Sequence, residues 1–378
     1  MEQSEHFGND SLKNISEIIS IHNAKKILLV TGKKSFEISG SEEKLSQFLK
    51  NVDLERFFDF EVNPNIEDVK TGVNIINSFK PDLIIAIGGG SVIDIAKLIN
   101  IFAVHVHKQK DIYDFVNKSS SVSKRGLPLI AIPTTSGTGS EATHFAVVYI
   151  GTKKYSFAHE YLLPNYAIID PTLSYSSPSY IKACSALDAL SQSIESFWAV
   201  GSSEESRSYS RRAIKLILSS IELAVNKNDL KAMNNMAIAA NFAGKAINIS
   251  KTTAAHALSY PITKYLNIPH GHAVALTLGK FFVINSKYSL NELNDKRGIE
   301  YFEKIIEEVN GFFECSDSEM TCTKWYQLME NLSLENDLKS IFREANIEFG
   351  SIANDINLER LNNNPVKIGL NQIEKLFL

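Results

Sequence analysis

The stretch Pro81–Phe102, PDLIIAIGGGSVIDIAKLINIF, decides the fold of this chain. It opens with PDLIIAI (81–87), a short continuous apolar run of the kind found in strands buried on both faces. Gly88-Gly89-Gly90-Ser91 follows at once, and VIDIAKLINIF then reads as a helix. A strand, a glycine turn and a helix start together aim free backbone N–H groups at an anion. The glycines carry no Cβ atoms, so a pyrophosphate can approach the main chain closely. The turn is not GxGxxG, and the usual dinucleotide fingerprint is therefore absent. A bare GGGS also serves as a plain tight turn, so the surrounding sequence has to decide.

Working outward, the first half alternates strand-like and helix-like segments. KKILLV (25–30) reads as a buried strand ending in the turn TGKKS, and LPLIAI (127–132) as another. FDFEV (58–62) is a further strand candidate, closed by Asn63-Pro64-Asn65. Between them, Ile66, Val69, Val73, Ile76 and Phe79 recur at helical spacing. Strands that are apolar throughout, alternating with helices, predict an α/β domain with a parallel sheet covered on both faces. Near Asp170-Pro171 the pattern changes. Pro178 is placed to begin a helix with Ser177 as its cap, and Ile181, Cys184, Leu187, Leu190, Ile194 and Phe197 continue it. Residues 213–225 and 233–249 also read as helices, and no strand is expected beyond about residue 170. A chain of 378 residues is long enough for two domains. The expected division is an α/β dinucleotide-binding domain over 1–172 and a helical metal and substrate domain over 173–378. Residues 310–378 carry no motif beyond helical packing.

Composition narrows the function class. Hydrophobic residues make up 44% and charged residues 22%, which excludes a disordered or collagen-like chain. A net charge of −4 gives no global attraction to nucleic acid. No run approaches the roughly 20 apolar residues of a membrane-spanning helix. The segment MEQSEHFGNDSLKNISEIIS has no signal-peptide core. Cys184, Cys315 and Cys322 form no CxxC pair. These features lead to the expectation of a cytoplasmic protein with reduced thiols, a small-molecule substrate and neither a membrane nor a nucleic-acid partner.

A second loop of small residues settles how the glycine turn is read. Pro133-Thr134-Thr135-Ser136-Gly137-Thr138-Gly139-Ser140-Glu141 follows the LPLIAI strand and offers several hydroxyl groups at another strand end. Ligands of open α/β sheets bind beyond the carboxyl ends of strands, so two such loops favour a nucleotide site. The turn Thr31-Gly32-Lys33-Lys34-Ser35 bears on which nucleotide. An acidic residue there would bind the adenosine ribose and repel a 2′-phosphate, but the position holds Gly32 with Lys33 and Lys34 beside it. NADP(H) is favoured over NAD(H).

The second half holds three separated polar elements. Asp188 and Gln192 stand one turn apart in ALDALSQSIESFW and project from one helix face. His256 and Tyr260 have the same relation in TTAAHALSYPIT, and Pro269-His270-Gly271-His272 opens another apolar segment. A carboxylate and two imidazoles from separate elements can hold Zn²⁺ or Fe²⁺ with a position open for substrate. Each histidine alone is more often structural. Asp188 in a strongly apolar helix is harder to explain that way, because burying an unpaired carboxylate costs several kcal/mol.

The motifs IAIGGGSVIDIAK, IPTTSGTGSEAT, IIDPTL, LDALSQSIES and HALSYPITKYLNIPHGHAVAL stand in the order of the iron-containing (group III) alcohol dehydrogenase family. The chain resembles that family from about residue 7 to its final helices. The resemblance implies a Rossmann-like nucleotide-binding domain, an all-α carboxy-terminal domain of the dehydroquinate synthase-like fold, and a cleft between them. It also implies NAD(P)-dependent hydride transfer at a divalent metal, and a homodimer or larger homo-oligomer. Carried over by position, Asp188, His256 and His270 match three metal ligands. Gln192 stands where the fourth is usually histidine, and Tyr260 where a proton-relay histidine is usual. Gly88, Gly89, Gly90 and Ser91 match the pyrophosphate loop, Asp94 a residue near the nicotinamide ribose, and Thr134, Thr135 and Thr138 cofactor contacts. Gly32, Lys33 and Ser35 belong to the adenosine end.

The stretches around Gln192 and Tyr260 are similar to the phosphonoacetaldehyde reductases, which implies phosphonoacetaldehyde as substrate. Lys251 and Thr252, with Ser250 and Thr253 alongside, supply a cation and hydroxyl donors suited to a phosphonate. The expected catalytic set is Asp188, His256, His270, and Tyr260 or His272 as proton relay. Other small aldehydes (butanal, lactaldehyde, succinic semialdehyde) are rival substrates. Gln192 keeps a metal-free NADPH-binding protein in play. The lyase chemistry of the related dehydroquinate synthases fits HALSYPIT and PHGHAVAL less well.

Overall fold

The computed structural model describes residues 3–106, 111–116, 121–151 and 153–378. The chain divides into two compact units, Met1–Ser177 and Pro178–Leu378.

The first unit is built on a six-stranded parallel sheet. Its strands are β1 (Ser4–Phe7), β2 (Lys26–Thr31), β3 (Asp53–Phe57), β4 (Leu83–Gly88), β5 (Leu129–Pro133) and β8 (Tyr166–Ile169), in the order β1-β8-β5-β4-β2-β3. Alternate residues of the central strands β2, β4 and β5 feed opposite cores, which is why those strands are so apolar. Leu28, Val30, Ile84 and Ala86 face one cluster together with helices α2 (Ile66–Phe79) and α3 (Gly90–Ala103). Ile27, Leu29, Ile85 and Ile87 face the other, with Ile15 of helix α1 (Asn14–Ile21), Leu12, Phe36 and Leu45. Asn65 caps α2 through the backbone N–H groups of Glu67 and Asp68, and its own N–H donates to Asp68 in return.

The chain runs outward from β2 to β3, then returns past β2 to β4 and on to β5. That reversal puts the switch point of the sheet between β2 and β4, the place where open α/β sheets bind ligands. The register pairs Thr31 with Ile87 and Gly88 with Pro133, so the turns leaving β2, β4 and β5 emerge side by side.

Four expectations need correction. The strand expected at 58–62 lies earlier, at Asp53–Phe57, because β3 is an edge strand and exposes Asp53, Leu54 and Glu55. Its polar face hid it beside the more apolar FDFEV. An antiparallel hairpin of β6 (Phe145–Ile150) and β7 (Lys153–Ala158) escaped the reading, as did the short strands β1 and β8. Pro178 takes the cap position itself, with extended backbone (ψ 146°), and Ser177 caps nothing. The run 213–225 is two helices, broken at Ser219-Ser220.

The second unit is helical, and no strand follows Ile169 among the described residues. It comprises α4 (Ser179–Trp198), α5 (Glu204–Leu218), α6 (Ile221–Lys227), α7 (Leu230–Ser250), α8 (Ala254–Leu266) and α9 (His270–Ser286). Shorter or peripheral helices follow as α10 (Ile299–Phe312), α11 (Ser318–Asn331), α12 (Leu338–Ala345), α13 (Phe349–Asn354), α14 (Leu358–Asn362) and α15 (Leu370–Phe377). Helix α4 is buried along nearly its whole length, and α7 and α9 pack against it. No described helix is long and apolar enough to cross a membrane.

Candidate active site

In the first unit the site is made of backbone and short side chains. A Cβ on Gly90 would lie 2.9 Å from Thr138 Cγ2 and 3.0 Å from its Oγ1, so glycine there lets the second loop rest on the first helical turn. At Gly89 an added Cβ would meet Thr135 only at ordinary contact distances, 3.7 and 3.8 Å. Packing does not demand that glycine, whereas the approach of a ligand to the main chain would. Thr134 N–H donates to the Gly88 carbonyl (3.0 Å) and ties the two turns together. The Ser91 hydroxyl donates to the Val62 carbonyl.

Asp94 fastens the second loop and the hairpin to α3. Its carboxylate accepts from the Ser140 hydroxyl (2.6 Å) and the Val147 N–H (2.9 Å). One turn on, the buried Lys97 ammonium donates to the Ser140 carbonyl (2.5 Å), Thr143 Oγ1 (3.0 Å) and the Phe145 carbonyl (3.0 Å). Burial pushes its pKa down to about 8, with Asp94 and Glu141 resisting the shift.

At the end of β2, a Cβ on Gly32 would sit 2.1 Å from Ser35 Oγ. Arg56 reaches this turn from β3, donating to Thr31 Oγ1 (2.9 Å) and the Gly32 carbonyl (3.3 Å), and its guanidinium lies over the Phe36 and Phe58 rings. Lys33 is exposed and paired with Asp59 (2.7 Å).

In the second unit the site is made of ionisable side chains, Asp188 and His256 buried and His270 partly exposed. Helix α4 presents Asp188 and Gln192 one turn apart, α8 presents His256 and Tyr260, and His270 is the first residue of α9. Ligand atoms of Asp188, His256 and His270 all lie within 4.8 Å of one another. Asp188 Oδ1 is 3.4 Å from His256 Nε2 and 3.9 Å from His270 Nε2. Those separations exceed the 2.7–2.9 Å or so of a charge-assisted hydrogen bond and leave room for an ion at the centre. Gly271 makes the approach possible. A Cβ there would fall 2.0 Å from the Cys184 carbonyl oxygen and 2.8 Å from Asp188 Cβ, so only glycine lets α9 start against α4.

The donor set fits a divalent metal. Asp188 Oδ1, Gln192 Oε1 and His256 Nε2 are buried, and none of the three atoms makes a hydrogen bond. Orphaned polar atoms at one place are costly unless a ligand satisfies them. Burial works against ionising Asp188, but His256, His270 and the Gln192 amide outweigh it and hold its pKa below the usual carboxylate value. Burial likewise works against charging His256, yet Glu195 and Asp188 carry it up to about 9. The pocket is thus organised around positive charge, which a proton supplies in the free protein and a dication can replace. Cys184, one turn before Asp188, is pushed up to about 12 by burial and stays a neutral thiol.

Comparison with known proteins places the chain in a family. Residues 3–171 match the model for iron-containing alcohol dehydrogenase, and residues 182–378 match that for the Fe-containing alcohol dehydrogenase family, C-terminal. The chain belongs to the iron-containing alcohol dehydrogenase family. It is an NAD(P)-dependent, metal-containing alcohol dehydrogenase or aldehyde reductase acting on small substrates. It is 34% identical to Long-chain-alcohol dehydrogenase 1 of Geobacillus thermodenitrificans over 72% of this chain and 69% of that protein. With the NADPH-dependent butanol dehydrogenase of Clostridium saccharobutylicum it shares 27% identity over 98% of this chain and 95% of that protein. A crystal structure of sulfoacetaldehyde reductase from Bifidobacterium kashiwanohense, in complex with NAD⁺, superposes with a TM-score of 0.82 at 28% identity, covering 99% of this chain and 96% of that one. Several aldehyde-alcohol dehydrogenases also match, over 32% of their own length.

Within this family member, the remaining sequence candidates separate. Tyr260 stacks on His270, with ring centroids 6.1 Å apart at 27°. His272 is buried and has both ring nitrogens engaged: Nε2 donates to the Glu335 carbonyl (2.6 Å), and Nδ1 accepts from the Tyr180 hydroxyl (3.2 Å). Burial also lowers its pKa, so it stays neutral and has no nitrogen left for a relay. Lys251 is exposed at the end of α7 and its ammonium pairs with Glu359, an arrangement that offsets the charge meant for a phosphonate. Thr252 is buried, and its carbonyl accepts from Asn363 (2.9 Å).

Two residues went unread. Lys97 announced itself as a charge inside the apolar helix IDIAKLINIF. Glu195 did so three positions after Gln192, inside SIESFW; it is fully buried and its carboxylate meets His256 Nδ1.

Proposed function

We propose that this enzyme reduces a small anionic aldehyde, phosphonoacetaldehyde foremost, to its alcohol with NADPH. One aldehyde, one NADPH and one proton give 2-hydroxyethylphosphonate and NADP⁺. The metal part of the reading rests on the three buried atoms Asp188 Oδ1, Gln192 Oε1 and His256 Nε2, which lack hydrogen bonds beside His270. They weigh against a metal-free NADPH-binding protein. The anionic-aldehyde part rests on the likeness of the Gln192 and Tyr260 stretches to phosphonoacetaldehyde reductases. It gains support from the full-length resemblance to a sulfoacetaldehyde reductase, whose substrate is the sulfonate counterpart of the same two-carbon aldehyde.

A divalent ion held by Asp188, Gln192, His256 and His270 would supply Lewis-acid polarisation of the carbonyl, and reduced nicotinamide the hydride. The chain's own residues do the rest. Asp188 stays ionised because the two imidazoles favour its carboxylate. Gln192 contributes a neutral amide oxygen, a weaker and harder donor than imidazole for a transition metal. Tyr260, whose ring stacks on His270, would pass a proton through Oη to the product alkoxide. In the first unit Gly89 and the start of α3 receive the pyrophosphate. Gly32 withholds a carboxylate from the adenosine ribose, and Arg56 with Lys34 favours the 2′-phosphate of NADPH.

NADPH oxidation by the purified protein, with phosphonoacetaldehyde, sulfoacetaldehyde, butanal and lactaldehyde as substrates, tests the reading. A kcat/KM for phosphonoacetaldehyde at least tenfold above the neutral aldehydes is expected. Equal rates across the panel would remove the anionic substrate. The assignment also carries the family's expectation of a homo-oligomer in the cytoplasm, which light scattering on the purified protein addresses for assembly.

A further inference from the structure

We infer that Glu195 is a positioning residue that performs two tasks with one carboxylate: it caps helix α8 from outside and fixes which nitrogen of His256 faces the metal. The inference rests on the reading of Asp188, His256 and His270 as metal ligands.

The capping follows from where the first backbone donors of α8 go. Thr253, the residue at the cap position, makes no side-chain hydrogen bond to its own helix. Glu195 Oε1, reaching across from α4, accepts instead from Ala255 N–H (2.9 Å), His256 N–H (3.4 Å) and Thr253 Oγ1 (2.7 Å). Thr253 Oγ1 in turn accepts from Trp198 Nε1 (3.0 Å), so the contact is held in place from both sides. A carboxylate at a helix N-terminus satisfies orphan donors and complements the helix dipole. This explains how a fully buried glutamate is tolerated.

The second oxygen does the positioning. Oε2 meets His256 Nδ1, and with a carboxylate oxygen as the acceptor of that contact the proton sits on Nδ1. Nε2 is then the nitrogen left to donate a lone pair. It is the atom 3.4 Å from Asp188 Oδ1 that makes no hydrogen bond. Because the same side chain sets the start of α8 and the ring that leaves it one residue later, the orientation of His256 relative to α4 is over-determined. Ligating histidines commonly need such a partner, and its loss typically weakens metal binding by about 10–100-fold.

Glu195→Gln separates the two tasks. The amide oxygen can still accept from Ala255 N–H and Thr253 Oγ1, which keeps the cap. Its NH₂ then faces His256 Nδ1, making Nδ1 the acceptor and placing the proton on Nε2, where it blocks coordination. The flipped amide would point N–H at N–H and is disfavoured. The experiment is titration of the metal-stripped full-length chain with Zn²⁺ against a competing chelator, with circular dichroism melting and ¹⁵N histidine NMR alongside. E195Q is expected to melt within a few degrees of wild type in the stripped form, bind Zn²⁺ at least tenfold more weakly, and lose the downfield Nδ1–H signal of Zn²⁺-loaded wild type. Zn²⁺ affinity of E195Q within threefold of wild type overturns the inference. If E195Q does not fold, the spectrum of Zn²⁺-loaded wild type decides: a proton on Nδ1 upholds the assignment and a proton on Nε2 refutes it. A wild type that takes up no divalent ion defeats the metal reading itself, and this inference with it.

Discussion

The two units build their sites from opposite materials. The first uses backbone, three consecutive glycines and hydroxyl side chains, placed by a sheet register that sets turns side by side. The second uses ionisable groups brought from three helices, Asp188 and His256 buried and His270 partly exposed. A site of the first kind tolerates changes in charge and fails on changes in volume. The second kind fails on changes in charge, because a buried charge without its partners costs several kcal/mol while the helices around it stay packed.

The sharpest way to break this contrast is Asp188→Ala. It is expected to cut kcat/KM on the order of a thousandfold or more and to abolish metal content, while NADPH fluorescence titration gives an unchanged Kd. Loss of nucleotide binding in that variant would show that the two sites are not built independently. Gly90→Ala is the mirror experiment. Its Cβ would press on Thr138 at 2.9 Å, so the KM for NADPH should rise roughly ten- to a hundredfold with metal stoichiometry intact. Gln192→His should tighten Zn²⁺ binding by about tenfold, since imidazole is the better donor; unchanged or weaker binding would mean that the amide is not at the ion.

The smallest effect concerns Lys97 and pH. With its pKa lowered to about 8 by burial, Lys97 is charged in both the folded and the unfolded chain below that value. Between about 8 and its ordinary 10.5 it is neutral when folded and protonated when unfolded. Unfolding then takes up a proton, so stability contributed by this group rises with pH across that window. Urea melts of wild type should show a rise that is absent in Lys97→Met; parallel pH profiles would contradict it.

How much of this was legible follows from how local each feature is. The parallel sheet, α2 and the glycine turn could be read because the deciding residues are neighbours in the chain. β3 was misplaced because an edge strand keeps one face polar, and the hairpin β6–β7 was passed over although AVVYI and KKYSFA flank a Gly151-Thr152 turn signal. In the helical unit, Asp188, His256 and His270 stood out as polar residues in apolar surroundings, and the structure brings them together. Lys97 and Glu195 stood out by the same criterion and were overlooked, since their partners (main-chain atoms, a serine, threonines and the His256 ring) lie far along the sequence. Lys251 and His272 show the converse. Residue type proposed a role, and a neighbour on another element, Glu359 or the Glu335 carbonyl, had already taken the group.

The fastening of Ser140, Thr143, Phe145 and Val147 to one turn of α3 has a further consequence for motion. A lysine that is normally the most mobile of side chains becomes, at Lys97, a rigid brace shared by a turn and a ribbon. Amide protons in the Thr134–Ser140 loop and along β6 should therefore exchange with solvent as a single cooperative unit, opening together or not at all.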